Sequence, residues 1–294
     1  MQDKAHIQTD EILAKMERHI NSIYKRASDE IGVKWQEYLT KSNKKIDELQ
    51  KEFDKTGDKA IKEKLQQAKK SYTIVNKRFK DLSTQTAEQL LHVNEIAVKY
   101  VNGELPNIYA LNYNSFPDSE IDGYSFALTD ADTIKNLATS DETLLPYKEV
   151  NGVKDIRWNT QKINSEVLQG ILQGESMQEI ADRLQNVENM NRHSAIRNAR
   201  TSVTSAENKG RLDSFKQAEK DGIILKKQWI ATGDNRTRHW HSDLNGKTAK
   251  TDEYFHNEYG AILYPGDPMA NPVNVYNCRC TLVSKIMGFK KGDD

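Results

Sequence analysis

Apolar residues in the first hundred positions recur at helical spacing. Met16, Ile20, Ile23, Ala27 and Ile31, continued by Trp35, Leu39, Ile46, Leu49 and Phe53, fall mostly at steps of three, four or seven, which gathers them on one stripe of a helix. A second run, Ile61, Leu65, Ala68, Tyr72, Val75, Phe79 and Leu82, alternates steps of four and three, the heptad rhythm of a coiled-coil seam. Between the runs stands Thr56-Gly57-Asp58, where glycine weakens a helix and suits a reversal of the chain. The pattern predicts a helical hairpin or coiled-coil arm over residues 1–101. One continuous helix packed on a partner is the alternative, and either form makes this stretch an arm or platform.

The rhythm breaks at residues 102–152. Pro106, Pro117 and Pro146 interrupt it, and residues 102–150 carry nine acidic side chains against Lys135 and Lys148 alone. Tyr109, Tyr113, Phe116, Tyr124 and Phe126 argue against disorder, because aromatic side chains anchor irregular segments to folded surfaces. An ordered acidic connector is expected. From Val153 the helical pattern returns. Ser176-Met177-Gln178-Glu179 fits a capping box, in which serine and glutamate satisfy each other's free amide donors, so a helix is predicted to start there. After a polar gap a longer helix is predicted from about Asn191 to Lys220, carrying Ile196, Ala199, Val203, Ala206 and Phe215. Beyond Gly222 the segment Ile223–Ile230 reads as a strand followed by the turn Thr232-Gly233-Asp234-Asn235. Pro265, Pro268 and Pro272 fix an irregular loop before a second strand-like segment, Cys280–Ser284, and residues 287–294 read as a polar tail. The fold class expected is mainly α, with a long helical arm and a helical segment leading into a small α+β module at the C-terminal end.

Composition changes this picture little. In 294 residues, 43 Lys and Arg balance 43 Asp and Glu, so no global charge steers the chain toward nucleic acid or membrane. Locally, residues 192–227 hold nine basic against four acidic side chains. Arg192, Arg197, Arg200 and Arg211 on the predicted helix are therefore candidate DNA-phosphate contacts, set against the alternative of a solvated face with internal ion pairs. No run approaches the roughly 18 apolar residues that a membrane-spanning helix requires, and Met1–Asp10 lacks the apolar stretch of a secretory signal, so no membrane role and synthesis in a cytoplasm are expected.

The only cysteines, Cys278 and Cys280, are separated by Arg279. A disulfide across one residue closes a strained ring and does not suit a reducing cytoplasm. Metal ligation is one reading: His241, Cys278 and Cys280 offer an imidazole and two thiolates, with His239, Asp243 or His256 as a fourth ligand for a structural zinc. A single intervening residue is tighter than the usual two to four between zinc cysteines. Buried free thiols beside Trp229 or Trp240 are the other reading. A catalytic use of His239 or His241, with Arg236 or Arg238 clamping a phosphate, would make the cluster a zinc-dependent nuclease or toxin-like effector. No phosphate-cradling loop, serine elbow or zinc-protease helix accompanies it.

The order of motifs over residues 153–286 resembles the C-terminal domain of the Mu F-like head-morphogenesis family of bacteriophage minor head proteins. The elements are Ala199-Arg200-Thr201 in a helix, the Trp229 strand, Asp234-Asn235-Arg236-Thr237-Arg238, His241 with Leu244-Asn245-Gly246, Tyr264-Pro265-Gly266-Asp267-Pro268, and Asn277-Cys278-Arg279-Cys280-Thr281. Ser202 stands where an acidic residue often follows the Ala-Arg-Thr element. The resemblance implies a non-enzymatic component of the phage head, located in the virion interior and in the host cytoplasm during assembly. It further implies partners among portal, capsid or scaffold proteins, and viral DNA during packaging or ejection. On that reading the seam residues Leu65, Tyr72 and Phe79 dock the arm on portal or scaffold. Family members also occur fused to toxin or ADP-ribosyltransferase domains; with about eight residues after the module, none is expected here.

Overall fold

A computed structural model describes residues 3–71, 77–120, 155–173, 175 and 177–290. Its elements in chain order are α1 (Lys4–Thr56), α2 (Lys59–Ser71), α3 (Lys77–Glu120), α4 (Ile156–Gln173), α5 (Met177–Lys220), β1 (Ile223–Ile230), α6 (His239–Ser242), β2 (Thr248–Ala249), β3 (Phe255–Asn257), β4 (Gly260–Ile262), α7 (Pro272–Val275) and β5 (Thr281–Phe289). No helix among the described residues is long and apolar enough to cross a membrane. The chain divides into two compact units. A helical unit comprises His19–Ala97 and Val153–Ala195; a mixed unit comprises Met1–Arg18, Val98–Gly152 and Ile196–Asp294.

In the helical unit, α1 buries Ile20, Tyr24, Ala27, Ile31 and Trp35. Tyr24 takes the inward place expected of Ile23, which is half-buried, because steps of four from Met16 and Ile20 keep the stripe on one side. The core centres on Trp35, packed edge-on against Phe79 at 5.7 Å and Tyr38 at 6.0 Å, with Leu90, Ile163, Val167, Ile180, Leu184 and Val187 around it. Its indole N–H donates to Thr86 Oγ1 at 2.9 Å. A chain of buried amides then ties four helices together. Tyr24 donates to Asn94, Asn94 Nδ2 to Asn191 Oδ1 at 2.9 Å, and Asn191 Nδ2 to Asn159 Oδ1 at 2.8 Å. Such paired polar groups fix the register of helices that apolar contacts alone would let slide. The predicted break at residues 56–58 is present: α1 ends at Thr56, and Gly57 adopts a left-handed φ of 64°, a conformation that costs glycine nothing.

Two boundaries differ from the sequence expectation. The helical rhythm continues through residue 101 to Glu120, so residues 102–120 of the expected connector are helix. Val101, Leu105, Ile108, Tyr109, Tyr113 and Phe116 are buried on one stripe, and that burial outweighs the roughly 3 kcal/mol that Pro106 costs inside a helix. The remainder of the connector, 121–152, lies outside the described residues. Likewise α5 runs unbroken from Met177 to Lys220, because Leu184, Val187 and Asn191 carry its buried face across the stretch expected as a polar gap. Its start agrees with the capping-box expectation, although Ser176 itself is outside the described residues.

The mixed unit joins the ends of α1, α3 and α5 to an antiparallel sheet of order β2-β1-β5 and a β3–β4 ribbon. In β1 the residues Ile223, Leu225, Lys227 and Trp229 face inward, the period of two that a half-buried strand requires. They pack with Phe116, Leu212, Phe215, Phe255, Ile262, Tyr264 and Leu282. Strand β5 pairs along all of β1, from Thr281 opposite Ile230 to Phe289 opposite Ile223. It therefore extends past Ser284, and the polar tail expected from residue 287 starts only after Phe289.

Candidate functional site

The segment Asn277–Leu282 is clamped on one face of α5. Asn277, at a left-handed φ of 53°, donates its backbone N–H to Thr201 Oγ1 at 3.2 Å. Thr204 Oγ1 donates to the Cys278 carbonyl at 2.7 Å. Asn208 donates Nδ2 to the Cys280 carbonyl at 3.2 Å and accepts the Leu282 N–H on Oδ1 at 2.8 Å. Thr201, Thr204 and Asn208 stand at i, i+3 and i+7, so a single stripe of the helix satisfies backbone groups of the irregular residues 277–280 and of Leu282 at the start of β5. This is the structural use of the Ala-Arg-Thr element.

The same face continues into a buried ionic hub. Arg211 donates through Nη2 to Asp3 at 2.8 Å, through Nε to Asn112 at 3.0 Å and through Nη1 to the Leu282 carbonyl at 3.1 Å. Glu207 accepts from Thr281 Oγ1 at 2.8 Å and from His6 Nδ1 at 2.6 Å. Burial lowers the pKa of His6, but the Glu207 carboxylate outweighs it and the net shift is upward. Burial raises that of Asp3, but the Arg211 guanidinium outweighs it and the net shift is downward. Both shifts favour the charged forms. Across the segment, Arg279 forms a two-pronged pair with Asp234 at 2.6 and 2.7 Å, and its hydrogen bonds hold the Asp234 carboxyl far below the usual range. Arg238 donates to the Tyr276 carbonyl. The turn at Gly266 presses on α5: its φ is +82°, and a Cβ there would lie 2.7 Å from Ser205 N.

Inside this frame three side chains converge. His241, on the one-turn helix α6, places Nδ1 3.6 Å from Cys278 Sγ and 3.6 Å from Cys280 Sγ, and the donor atoms all lie within 4.8 Å of one another. All three residues are buried, and Trp229 stands edge-on to the imidazole at 5.4 Å. Both thiols are free. Their mutual hydrogen bond, together with burial, pushes Cys278 well above the ordinary thiol value; the same bond draws Cys280 below it, against burial, which acts upward.

Other residues singled out in the sequence fall elsewhere. His239 is 73% exposed and pairs with Glu258 at 2.8 Å, outside the cluster, because adjacent residues of a short helix point in different directions. Arg211, 4% exposed, is consumed by the hub and presents nothing to a phosphate. Arg200 forms a two-pronged pair with Glu17 at 2.5 and 3.0 Å. Arg192 is half-buried, with an Nε that finds no hydrogen-bond partner, and the Arg197 guanidinium lies 6.0 Å over the Tyr276 ring. Leu65 on α2 and Phe79 on α3 are buried within the helical unit, Phe79 against Trp35, and Tyr72 lies outside the described residues. The sequence reading missed Asn208, Glu207 and Lys227. Lys227 faces the core, donating Nζ to the Leu263 carbonyl at 2.8 Å and the Thr251 carbonyl at 3.2 Å, and burial draws its pKa down to about 8. The alternation of β1 was the signal that marked it as inward.

The model of the Phage Mu protein F like family matches residues 161–283, a stretch that takes in α5, β1 to β4 and the clamped Cys-Arg-Cys segment. Over 280 residues, 93% of this chain and 87% of the relative, it is 24% identical to minor head protein GP7 of Bacillus phage SPP1. It is also 29% identical over 132 residues to NAD(+)-arginine ADP-ribosyltransferase EFV of Enterococcus faecalis, covering 44% of this chain and 26% of that protein. A third relative, uncharacterized protein YqbB of Bacillus subtilis, is 28% identical over 162 residues, 49% of this chain and 52% of that one. No solved structure matches the chain.

Proposed function

We propose that the chain is a minor protein of a bacteriophage head that acts in head morphogenesis as a structural component and not as an enzyme. The observation that carries this reading is the extent of the match to minor head protein GP7, which takes in the long helices as well as the module. The similarity to the ADP-ribosyltransferase involves about a quarter of that protein. A nuclease built on the His/Cys cluster is not favoured, since His239 stands apart from it.

Within this reading the finer roles are association with the portal and contact with packaged DNA. The arm α1–α2 is the element offered to portal or scaffold, and Arg192 and Arg197 are the remaining DNA-contact candidates on α5 once Arg200 and Arg211 are assigned to ion pairs. Purified chain should co-sediment with procapsids that contain portal and not with portal-free shells; equal behaviour toward both would remove the portal role. Absence from assembled particles would remove the head-protein reading. Arg192→Ala with Arg197→Ala should weaken DNA retention in a gel-shift assay at low salt, and unchanged retention would remove the DNA contact.

A further inference from the structure

Two sulfurs and one nitrogen meet at a point in the buried core of the mixed unit, and hydrogen bonding among themselves accounts poorly for their arrangement. The Nδ1 lone pair of His241 accepts one S–H at most, and a hydrogen bond would draw one sulfur closer than the other. Nδ1 instead stands at the same 3.6 Å from both sulfurs. Equal separations are what a common centre imposes. Zinc bonds of about 2.3 Å to thiolate and about 2.0–2.1 Å to imidazole, opened at the tetrahedral angle, put nitrogen and sulfur roughly 3.6 Å apart. The surroundings also suit a metal ligand set. The Cys278 and Cys280 carbonyls are pinned to Thr204 and Asn208, the intervening Arg279 is held by Asp234, and the left-handed Asn277 turns the backbone so that both thiols face the same side. The tight one-residue spacing is thus relieved by a backbone already bent and anchored to α5.

We propose that His241, Cys278 and Cys280 form a binding site for one thiophilic divalent cation, zinc in the first place. The ion ties α6 to the segment entering β5, elements 37 and 39 residues apart in the chain. Among the described residues no further His, Cys, Asp or Glu joins the cluster, so the three protein ligands leave the fourth tetrahedral position to a water molecule. Two thiolates in an apolar pocket select zinc over magnesium or calcium, which require oxygen ligands. Binding releases the thiol protons to solvent and involves no change of oxidation state.

The test uses the full chain, purified without a polyhistidine tag and refolded with zinc present. Native mass spectrometry should show one zinc per chain, and X-ray absorption at the zinc edge should fit two sulfur scatterers at about 2.3 Å and one nitrogen at about 2.0 Å. Cys278→Ser with Cys280→Ser should abolish binding. To separate loss of metal from loss of fold, the wild-type chain is also titrated with a thiol reagent: both cysteines should be protected with zinc and become reactive when a chelator is added. A metal-free chain, thiols equally reactive with and without zinc, or a disulfide between the two cysteines would each overturn the site.

Discussion

Glu188 lies on the inward side of α5 in the helical unit, 6% exposed, with Oε2 unpartnered and Asp29 adding a like charge. Burial raises its pKa to about 7, against the Ser28 hydrogen bond that pulls the other way. A carboxyl whose folded value exceeds its unfolded one binds its proton more tightly when folded. Its contribution is therefore most favourable below about pH 4.5 and is lost as pH rises through 7, a change on the order of 3 kcal/mol. Glu188→Gln removes the ionisation while keeping the shape, so at pH 8 the variant should melt higher than the wild type, with the advantage vanishing near pH 4 in parallel thermal scans. No advantage at pH 8 would mean that Glu188 is hydrated in the fold. Such a residue is invisible in sequence, where Glu188 sits in a polar stretch that reads as a solvated face. The same holds for Glu207: one carboxylate in an apparently basic helix carries no mark that His6 and Thr281 will meet it. Cys278 and Cys280, by contrast, announced themselves by rarity and spacing, and His241 came with them.

Elements were more legible than residues, because burial repeats with the geometry of the backbone. The four- and three-residue steps of α1 and the two-residue alternation of β1 are properties of the chain alone. What failed was the reading of punctuation. Pro106 and the polar run before Asn191 have the marks of helix ends, yet each is overridden by a buried stripe that needs tertiary contact to be recognised. Gly210 shows how close that contact is: a Cβ at this position of α5 would lie 2.5 Å from the Tyr109 carbonyl oxygen of α3. Backbone cannot yield as a flexible side chain can. Gly210→Ala should therefore destabilise the mixed unit by about 2 kcal/mol or more, although alanine is the better helix former by about 1 kcal/mol. Chemical denaturation followed by Trp229 fluorescence measures it, and a stabilised variant would show that the helices separate freely.

At the scale of the whole chain, the mixed unit is assembled from three separated stretches, Met1–Arg18, Val98–Gly152 and Ile196–Asp294. No sequence pattern reveals such discontinuity, since each stretch looks like the end of an ordinary long helix. Deleting residues 1–18 removes Asp3 and His6 and leaves the charges of Arg211 and Glu207 buried with fewer partners, a loss of about 3–5 kcal/mol for a broken buried pair. Amide exchange should then quicken in β1 and β5, which Arg211 and Glu207 anchor at Leu282 and Thr281. Unchanged protection there would mean that the hub is dispensable.

The hub also sets an order in time. His6 precedes Glu207 by 201 residues and Asp3 precedes Arg211 by 208. At a synthesis rate of roughly 5–20 residues per second, the start of α1 waits on the order of 10–40 s on the ribosome before its partners exist. Through that interval His6 and Asp3 lack the partners that α5 supplies in the finished fold. The mixed unit is consequently a late-closing part of the nascent chain, and its closure draws on residues translated long before it.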